Sequence, residues 1–464
     1  MSDALHAEGR LRSEFRIYEP DGSWMDADAH RADDDLAALY AYERKGSRAA
    51  RAPSAHVALM RELELADYEP ASDPGNLRWY PRGTIVKRLL ERGASDVAAA
   101  FGALEVETPV MYDLAHPQLG SYLHRFPARQ YVVHSDECEH FLRFAACFGQ
   151  YMILHDATLS YRHLPVRLHE VARYAFRRER SGELAGLRRL RAFTMPDMHT
   201  VVRDAPMAAE EFIAQARLCV EWLRDVEVSC VPVVRFVRQF VERHPELLRE
   251  LLALLDRRVL VELWDERAFY FVAKFELNVV DGQRKAACLG TVQIDVENGE
   301  RFGIGFVDRD ATERPALLLH TSISGAIERN VYAILEAQAQ RIAAGGKGRW
   351  PAWLAPVQVR IVPVADRHVE PAVELARRID ARVDVDDRQE SLSKRVRDAE
   401  RTWVSRVVVF GDREARTGRL AVRTRHGADE TMTVEQLARW VRDDDLRGLQ
   451  TATRLSRQPT FVGS

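Results

Sequence analysis

The chain has 464 residues, of which 46% are hydrophobic and 30% charged, and its net charge is −3 at pH 7. That length calls for two or three cores, and the near-neutral balance excludes a blanket affinity for nucleic acid while leaving room for a local basic groove. Five cysteines (Cys138, Cys147, Cys219, Cys230 and Cys288) are too few and too scattered for a disulfide framework, so a reducing, cytoplasmic setting is expected.

In chain order, the opening "MSDALHAEGRLRSEF" has no apolar run, and no later stretch is long and uninterrupted enough to cross a bilayer. Neither a secretory leader nor a membrane partner is expected. Residues 1–73 read as a short N-terminal region with one hairpin, "FRIYEPDGSWM", around its Asp-Gly turn. The acidic "DADAHRADDD" reads as a solvated surface. "EPASDPGNLRWYP" is dense in Pro and Gly and marks a boundary.

The middle region, 74–344, opens with a predicted helix over 84–101 and a strand in "LEVETPVMYD". A helix over 139–154 follows, then an arginine-rich hairpin, then helices over 207–223 and 231–255. After these come strands in "RVLVELW", "FYFVAKFELNVV", "AACLGTVQIDV" and "RFGIGFV", and a helix over 326–337 after Gly325. Strands massed after helices predict an α+β fold with an antiparallel sheet. Beyond "IAAGGKGRWPAW", residues 345–464 alternate strand and helix and predict a small α/β domain.

The hairpin segment "FRRERSGELAGLRRLRAF" carries arginines at 177, 178, 180, 188, 189 and 191. Like charges so close repel unless a polyanion sits among them, and a guanidinium grips phosphate or carboxylate bidentately. On a strand, Arg189, Arg191 and Phe193 would share one face, two cations and a ring, which suits a nucleoside triphosphate. The plainer reading is an exposed, salt-bridged hairpin. The chain has neither a Gly-rich phosphate loop nor a dinucleotide fingerprint, so a nucleotide site must be built from side chains.

Three stretches carry a family resemblance. "FRRERSGELAGLRRLRAF" resembles motif 2 of class II aminoacyl-tRNA synthetases, "GAIER" at 325–329 resembles motif 3, and "EVETPVM" with Pro109 resembles the dimerisation element, motif 1. "HVALMRELELADYEP", "LRRLRAFTMPDMHT" and "LGTVQIDVENGERFGI" are similar to the archaeal branch of the threonyl-tRNA synthetase family, and the similarity runs from about residue 56 to the C-terminus. It implies a class II catalytic domain, an anticodon-binding domain and a homodimer. Its substrates would be ATP with Mg2+, threonine and threonine tRNA, with no DNA partner.

The resemblance also implies roles. Arg177 would hold the ATP α-phosphate and the amino-acid carboxylate, Glu179 the adenine amino group, Arg189 and Arg329 the γ-phosphate, and Phe193 would stack on adenine. One Zn2+ per chain would be held by a cysteine and two histidines. His199 stands 22 positions after Arg177, and His320 nine before Arg329. Cys147 stands 13 positions before Ser160-Tyr161-Arg162, the family's spacing; Cys138 in "HSDECEHF" only superficially looks like a ligand. Read alone, each of these three would be an ordinary core residue. Asp197, Tyr270 and Gln293 would line the threonine and adenylate pocket. Gln389 and Arg423 would read anticodon bases; the plain reading of both is solvated surface.

Two departures are visible. The 70-odd residues before the core do not resemble the editing domain of longer archaeal relatives, so cis editing is not expected, and Ala326 replaces a frequent serine in motif 3. The readings are therefore a threonine–tRNA ligase without cis editing, a paralogue adenylating an amino acid for a non-tRNA acceptor, or a regulatory RNA-binding paralogue. The complete set of arginines, zinc candidates and the C-terminal domain favours the first.

Overall fold

The structure is a computed structural model that describes residues 13–32, 34–45, 54–123, 130–177, 184–425, 427–443, 452–454 and 456. Contacts divide these into two units. One draws on positions up to 54, 71–76 and 94–333; the other on 55–70, 77–93 and those from 334 onward. None of the described helices is long and apolar enough to cross a membrane.

The first unit is α+β, built on a ten-stranded sheet. In chain order its strands are β1 (Ser13–Tyr18), β2 (Trp24–Asp26), β3 (Leu104–Glu105), β4 (Val166–Ala175), β5 (Ala192–Val202), β6 (Val231–Val237), β7 (Val259–Trp264), β8 (Phe271–Val280), β9 (Ala286–Asp295) and β10 (Leu317–Ser322). Their spatial order is β2-β1-β7-β6-β8-β9-β10-β5-β4-β3. Every neighbouring pair is antiparallel except β6/β7 and β3/β4. Helices α1 (Asp35–Lys45), α2 (Cys147–Asp156) and α3 (Ala205–Asp225) belong to this unit, as do the first seven residues of α4 (Ile327–Ala343), the rest of which counts with the second unit. The expected N-terminal hairpin is present as β1/β2, and β1 extends the sheet at β7.

Several expected elements differ. Residues 231–237 are a strand, not the start of a helix: "VPVVRFV" has four valines and a proline, poor helix formers that suit a wholly buried strand. Helix resumes at Arg238–Arg243 and again at Pro245–Leu255, where proline takes the first turn. The helix expected over 139–154 is a strand, Cys138–Leu142, then α2. Pro109 has no N–H to donate, and "LEVETPVMYD" forms only β3 and Met111–Asp113 on either side of it. The start of "RFGIGFV" is the end of a short helix, Asn298–Arg301, and the turn after it, so only Gly305–Val307 is strand. In the arginine-rich hairpin, β4 and β5 pair from Val166/Val201 to Ala175/Ala192, and Arg188, Arg189 and Arg191 precede β5 in a tight turn. Arg189, Arg191 and Phe193 therefore do not form one strand face.

The second unit holds a six-stranded sheet, order β15-β14-β13-β11-β12-β16, from β11 (Val359–Pro363), β12 (Val383–Val385), β13 (Arg406–Phe410), β14 (Arg419–Thr424), β15 (Glu430–Thr433) and β16 (Ala452–Arg454). β12, β11 and β13 run parallel, with α5 (Val369–Arg377), α6 (Leu392–Arg401) and α7 (Val434–Asp443) between strands. Its apolar interior gathers Val359, Ile361, Val408, Val422 and Leu437.

Gly325 sits in the left-handed region (φ 67°) just before α4, and a Cβ there would lie 2.6 Å from the Leu289 carbonyl oxygen. Both facts require glycine. Gly325→Ala should lower stability by about 1–3 kcal/mol, read as a reduced urea midpoint at unchanged slope. A midpoint equal to that of the parent chain would show that the turn relaxes.

Candidate functional site

Strand register decides which side chains meet. Glu262 on β7 lies opposite Arg235 on β6, Arg235 opposite Lys274 on β8, and Lys274 opposite Gln293 on β9. Gln293 in turn faces His320 on β10, and His320 faces His199 on β5. Directly opposed residues project from the same face. Six chemically active side chains thus form one transverse row.

At one end of the row is a cluster of Cys147, His199 and His320. His199 Nε2 lies 3.2 Å from Cys147 Sγ and 3.1 Å from His320 Nδ1, and Sγ to His320 Nδ1 is 3.6 Å. A tetrahedral zinc with ordinary bond lengths sets N···N at about 3.4 Å and S···N at about 3.6 Å. The donor set and its spacing fit that metal. The remaining ring nitrogens are held as well: His199 Nδ1 is 2.8 Å from Gln150 Oε1, and His320 Nε2 is 2.8 Å from Asp295 Oδ2 and 2.6 Å from the Tyr151 hydroxyl. Such outer partners fix ring orientation and raise ligand basicity. Burial opposes charge on His320, but the Cys147 sulfur and Asp295 outweigh it and push its pKa up to about 10. Burial, then His320, holds His199 well below the usual imidazole range. Helix α2 supplies Cys147 at its first residue and Gln150 and Tyr151 one turn on, so one helix end delivers both ligand and support. Cys138 is exposed on its own strand.

Around the cluster, the Tyr270 hydroxyl donates to Gln293 Oε1 at 2.8 Å, and its ring centre is 5.2 Å from that of His320. Tyr174 donates to Asp197 and accepts from the Ala146 N–H at 2.7 Å. Burial pushes the Asp197 carboxyl up to about 6, against the Tyr174 hydrogen bond.

The other half of the row floors a cavity of about 590 Å³ into which Arg189, Arg329, Arg235, Lys274, Glu262 and Glu276 all project. Arg329 is anchored through Nε to the Arg188 carbonyl (3.1 Å) and through Nη1 to the Cys288 carbonyl (3.2 Å). Its neighbour Glu328 accepts from the Thr194 N–H at 2.8 Å, tying α4 to β5. Burial, then Arg235, lowers the Lys274 pKa to about 8. Arg177 is exposed just past β4. Phe193 lies parallel to Phe176, ring centres 5.4 Å apart. Glu179 lies outside the described residues.

In the second unit Gln389 lines a cavity of about 380 Å³ with Arg388 and Asp366, donating to Asp366 Oδ1 at 3.2 Å. Arg423 is on β14, 3.6 Å from Asp429, and is not among the described residues lining that cavity.

Sequence reasoning passed over Gln150, Tyr151, Asp295, Lys274, Arg235 and Glu262. The alternation in "FYFVAKFELNVV" places Lys274 and Glu276 on one face, a usable signal. No local pattern pairs Lys274 with Arg235, 39 residues earlier.

A family model of the tRNA synthetase class II core domain (G, H, P, S and T) matches residues 131–338, and one of the anticodon binding domain matches 358–444. A threonine–tRNA ligase of Methanothrix thermoacetophila is 49% identical over 475 residues, covering 100% of this chain and 77% of the relative. That of Pyrococcus furiosus is 47% identical, covering 98% and 75%. The chain thus spans about three quarters of the length of these relatives. Among solved structures, the RNA binding domain of threonyl-tRNA synthetase from Cryptosporidium parvum Iowa II shares the fold, with a TM-score of 0.75 at 22% identity over 85% of this chain and 99% of the other. With nearly half its residues identical along its whole length and both characteristic domains matched, the chain belongs to the threonine–tRNA ligase family of class II aminoacyl-tRNA synthetases.

Proposed function

We propose that this chain activates threonine with ATP and transfers it to threonine tRNA, and that the row across the first unit's sheet is the activation site. The observation that carries this reading is the convergence of Cys147, His199 and His320 beside Gln293 and Tyr270. Zinc on those three ligands would supply a Lewis-acid position for the amino nitrogen and hydroxyl of threonine. Mg2+ accompanies ATP.

The chain's own groups do the rest. Asp197 accepts a hydrogen bond from the threonine amino group, and Gln293 and Tyr270 wall the pocket. Arg177 holds the threonine carboxylate against the α-phosphate, so that a carboxylate oxygen attacks phosphorus and pyrophosphate leaves. Arg189 and Arg329 face the charge that gathers on the departing phosphates, and Phe193 stacks on adenine with Glu179 at its amino group. Fixed guanidinium groups in a partly dehydrated cavity need no reorganisation as that charge develops. A ribose hydroxyl at the tRNA 3′ end then attacks the activated carbonyl and AMP departs. Gln389 and Arg423 contact the anticodon. The chain works as a homodimer through the motif 1 segment, where Leu104 is 62% and Val110 58% exposed, an apolar pair that gains from being covered.

Threonine-dependent pyrophosphate exchange followed by tRNA charging tests the function. Exchange without charging would favour an acceptor other than tRNA. Arg329→Ala should slow exchange by at least about a hundredfold, the scale for losing one preorganised electrostatic group; a loss under tenfold in folded protein would remove it from the site. Purified protein should carry about one zinc per chain, lost in Cys147→Ala and kept in Cys138→Ala. The opposite pattern would assign the wrong cysteine. Serine keeps the hydroxyl and lacks one methyl, so its activation should trail that of threonine by only about 10–200-fold, while valine, lacking the hydroxyl, should fall further behind. Equal rejection of serine and valine would contradict this pocket. Light scattering at micromolar concentration should report a dimer; a monomer would refute the interface.

A further inference from the structure

The cavity has one wall that none of the class II motifs supplies. Ser13, Tyr42 and Glu43, from β1 and α1, line it together with Arg189 and Arg329. Only Glu43 among them is joined to the row. Each of the three guanidinium nitrogens of Arg235 meets a carboxylate from a different element: Nε donates to Glu262 on β7 (2.7 Å), Nη2 to Glu43 on α1 (2.9 Å), and Nη1 pairs with Glu276 on β8. The second oxygen of Glu276 then holds Lys274 Nζ at 2.8 Å. Arg235 and Glu276 are both over nine-tenths buried.

We propose that Glu43 is a positioning residue for the activation site, holding Arg235 in its place on β6 and, through Glu276, fixing where the Lys274 ammonium stands in the cavity. This rests on the reading of the cavity as the activation site. The argument begins from two cations, Arg235 and Lys274, side by side on adjacent strands. Neighbouring like charges are unfavourable unless acids divide them. Glu262 and Glu276 alone leave the Nη2 edge of Arg235 unpaired, facing a cavity that already holds Arg188, Arg189 and Arg329. Glu43 occupies that edge. Without it the guanidinium is free to swing toward the phosphates that Arg189 and Arg329 are set to receive, and the Glu276 bridge to Lys274 loosens.

The charges around Lys274 make this measurable. It is faced by Arg235 from β6, Glu262 from β7, Glu276 from β8, Cys288 from β9, Glu43 from α1 and the arginines of the cavity. Burial and Arg235 lower its pKa, whereas Glu43 and Glu262 act to raise it. Neutralising Glu43 removes one raising charge, so Lys274 loses its proton at a lower pH. Lys274 lines the same cavity as Arg189 and Arg329 and, protonated, adds to the positive charge that meets the phosphates, so activity then declines earlier on the alkaline side.

The test compares the full chain with Glu43→Gln and Glu43→Asp by threonine-dependent exchange from about pH 6.5 to 9.5, alongside melting temperature. Glu43→Gln should lower kcat about tenfold and move the alkaline limb down by roughly half a pH unit or more, at a melting temperature near that of the parent. Glu43→Asp should recover most of both. Glu262→Gln, which removes a second carboxylate from Arg235, should move the limb the same way and stands in if Glu43→Gln does not fold. A limb at the parent's pH, with or without a proportional loss of rate, would overturn the role. Absence of exchange in the unaltered chain would instead overturn the function, and this inference with it.

Discussion

The register of a single antiparallel stretch, β6-β8-β9-β10-β5, is what the rest of the site depends on. Five cross-strand pairings, counting the parallel one to β7, line up Glu262, Arg235, Lys274, Gln293, His320 and His199 on one face. Side chains alternate across a strand, so a slip by one residue in any of these strands would turn its member of the row to the opposite face. The apolar residues between them resist such a slip. Val292, Ile294, Leu319 and Leu277 are all nearly inaccessible, and a slip would trade them for the row. The same burial that stabilises the sheet therefore fixes the site.

Polar groups held in that face need partners, and the fold provides them in layers. Behind the metal-type cluster stand Gln150 and Asp295; beside the cavity's cations stand Glu262, Glu276 and Glu43. A third network ties the motif 1 segment to β4: the buried Glu170 accepts from the Thr108 N–H at 3.0 Å and from Arg143 Nη1 at 2.7 Å. Well-packed apolar side chains serve stability as well as buried ion pairs do, or better. Charged groups at this density are better explained as orienting neighbours that must stay charged and fixed.

Local signals in the chain were uneven guides to the fold. The strands Val259–Trp264, Phe271–Val280 and Ala286–Asp295 and the strand–helix alternation of the second unit were legible because each is a short β-branched run bounded by turn residues, whereas β10, which carries His320, was not anticipated as a strand. The segment from Val231 was not, because its apolar run joins a helix with no turn between and helix periodicity swallows it. The Arg188–Arg191 stretch misled in another way: its residues suit a strand face, but the chain makes a tight turn there, with the Arg188 N–H bonded to the Ala185 carbonyl at 2.9 Å.

The sequence by itself determined the chemical inventory and its order: arginines at 177, 189 and 329, one cysteine and two histidines at motif-relative offsets, and an acid at 197. These are facts of spacing along the chain: His199 stands 22 positions after Arg177, His320 nine before Arg329 and Cys147 thirteen before Ser160. Only the tertiary structure decided which of them meet and what stands behind them. Cys147, His199 and His320 are 52 and 121 positions apart, and Glu43 is 192 positions from Arg235. Pairings at such separations are set by strand order and register, which arise from burying the whole sheet at once, and no window along the chain contains that information.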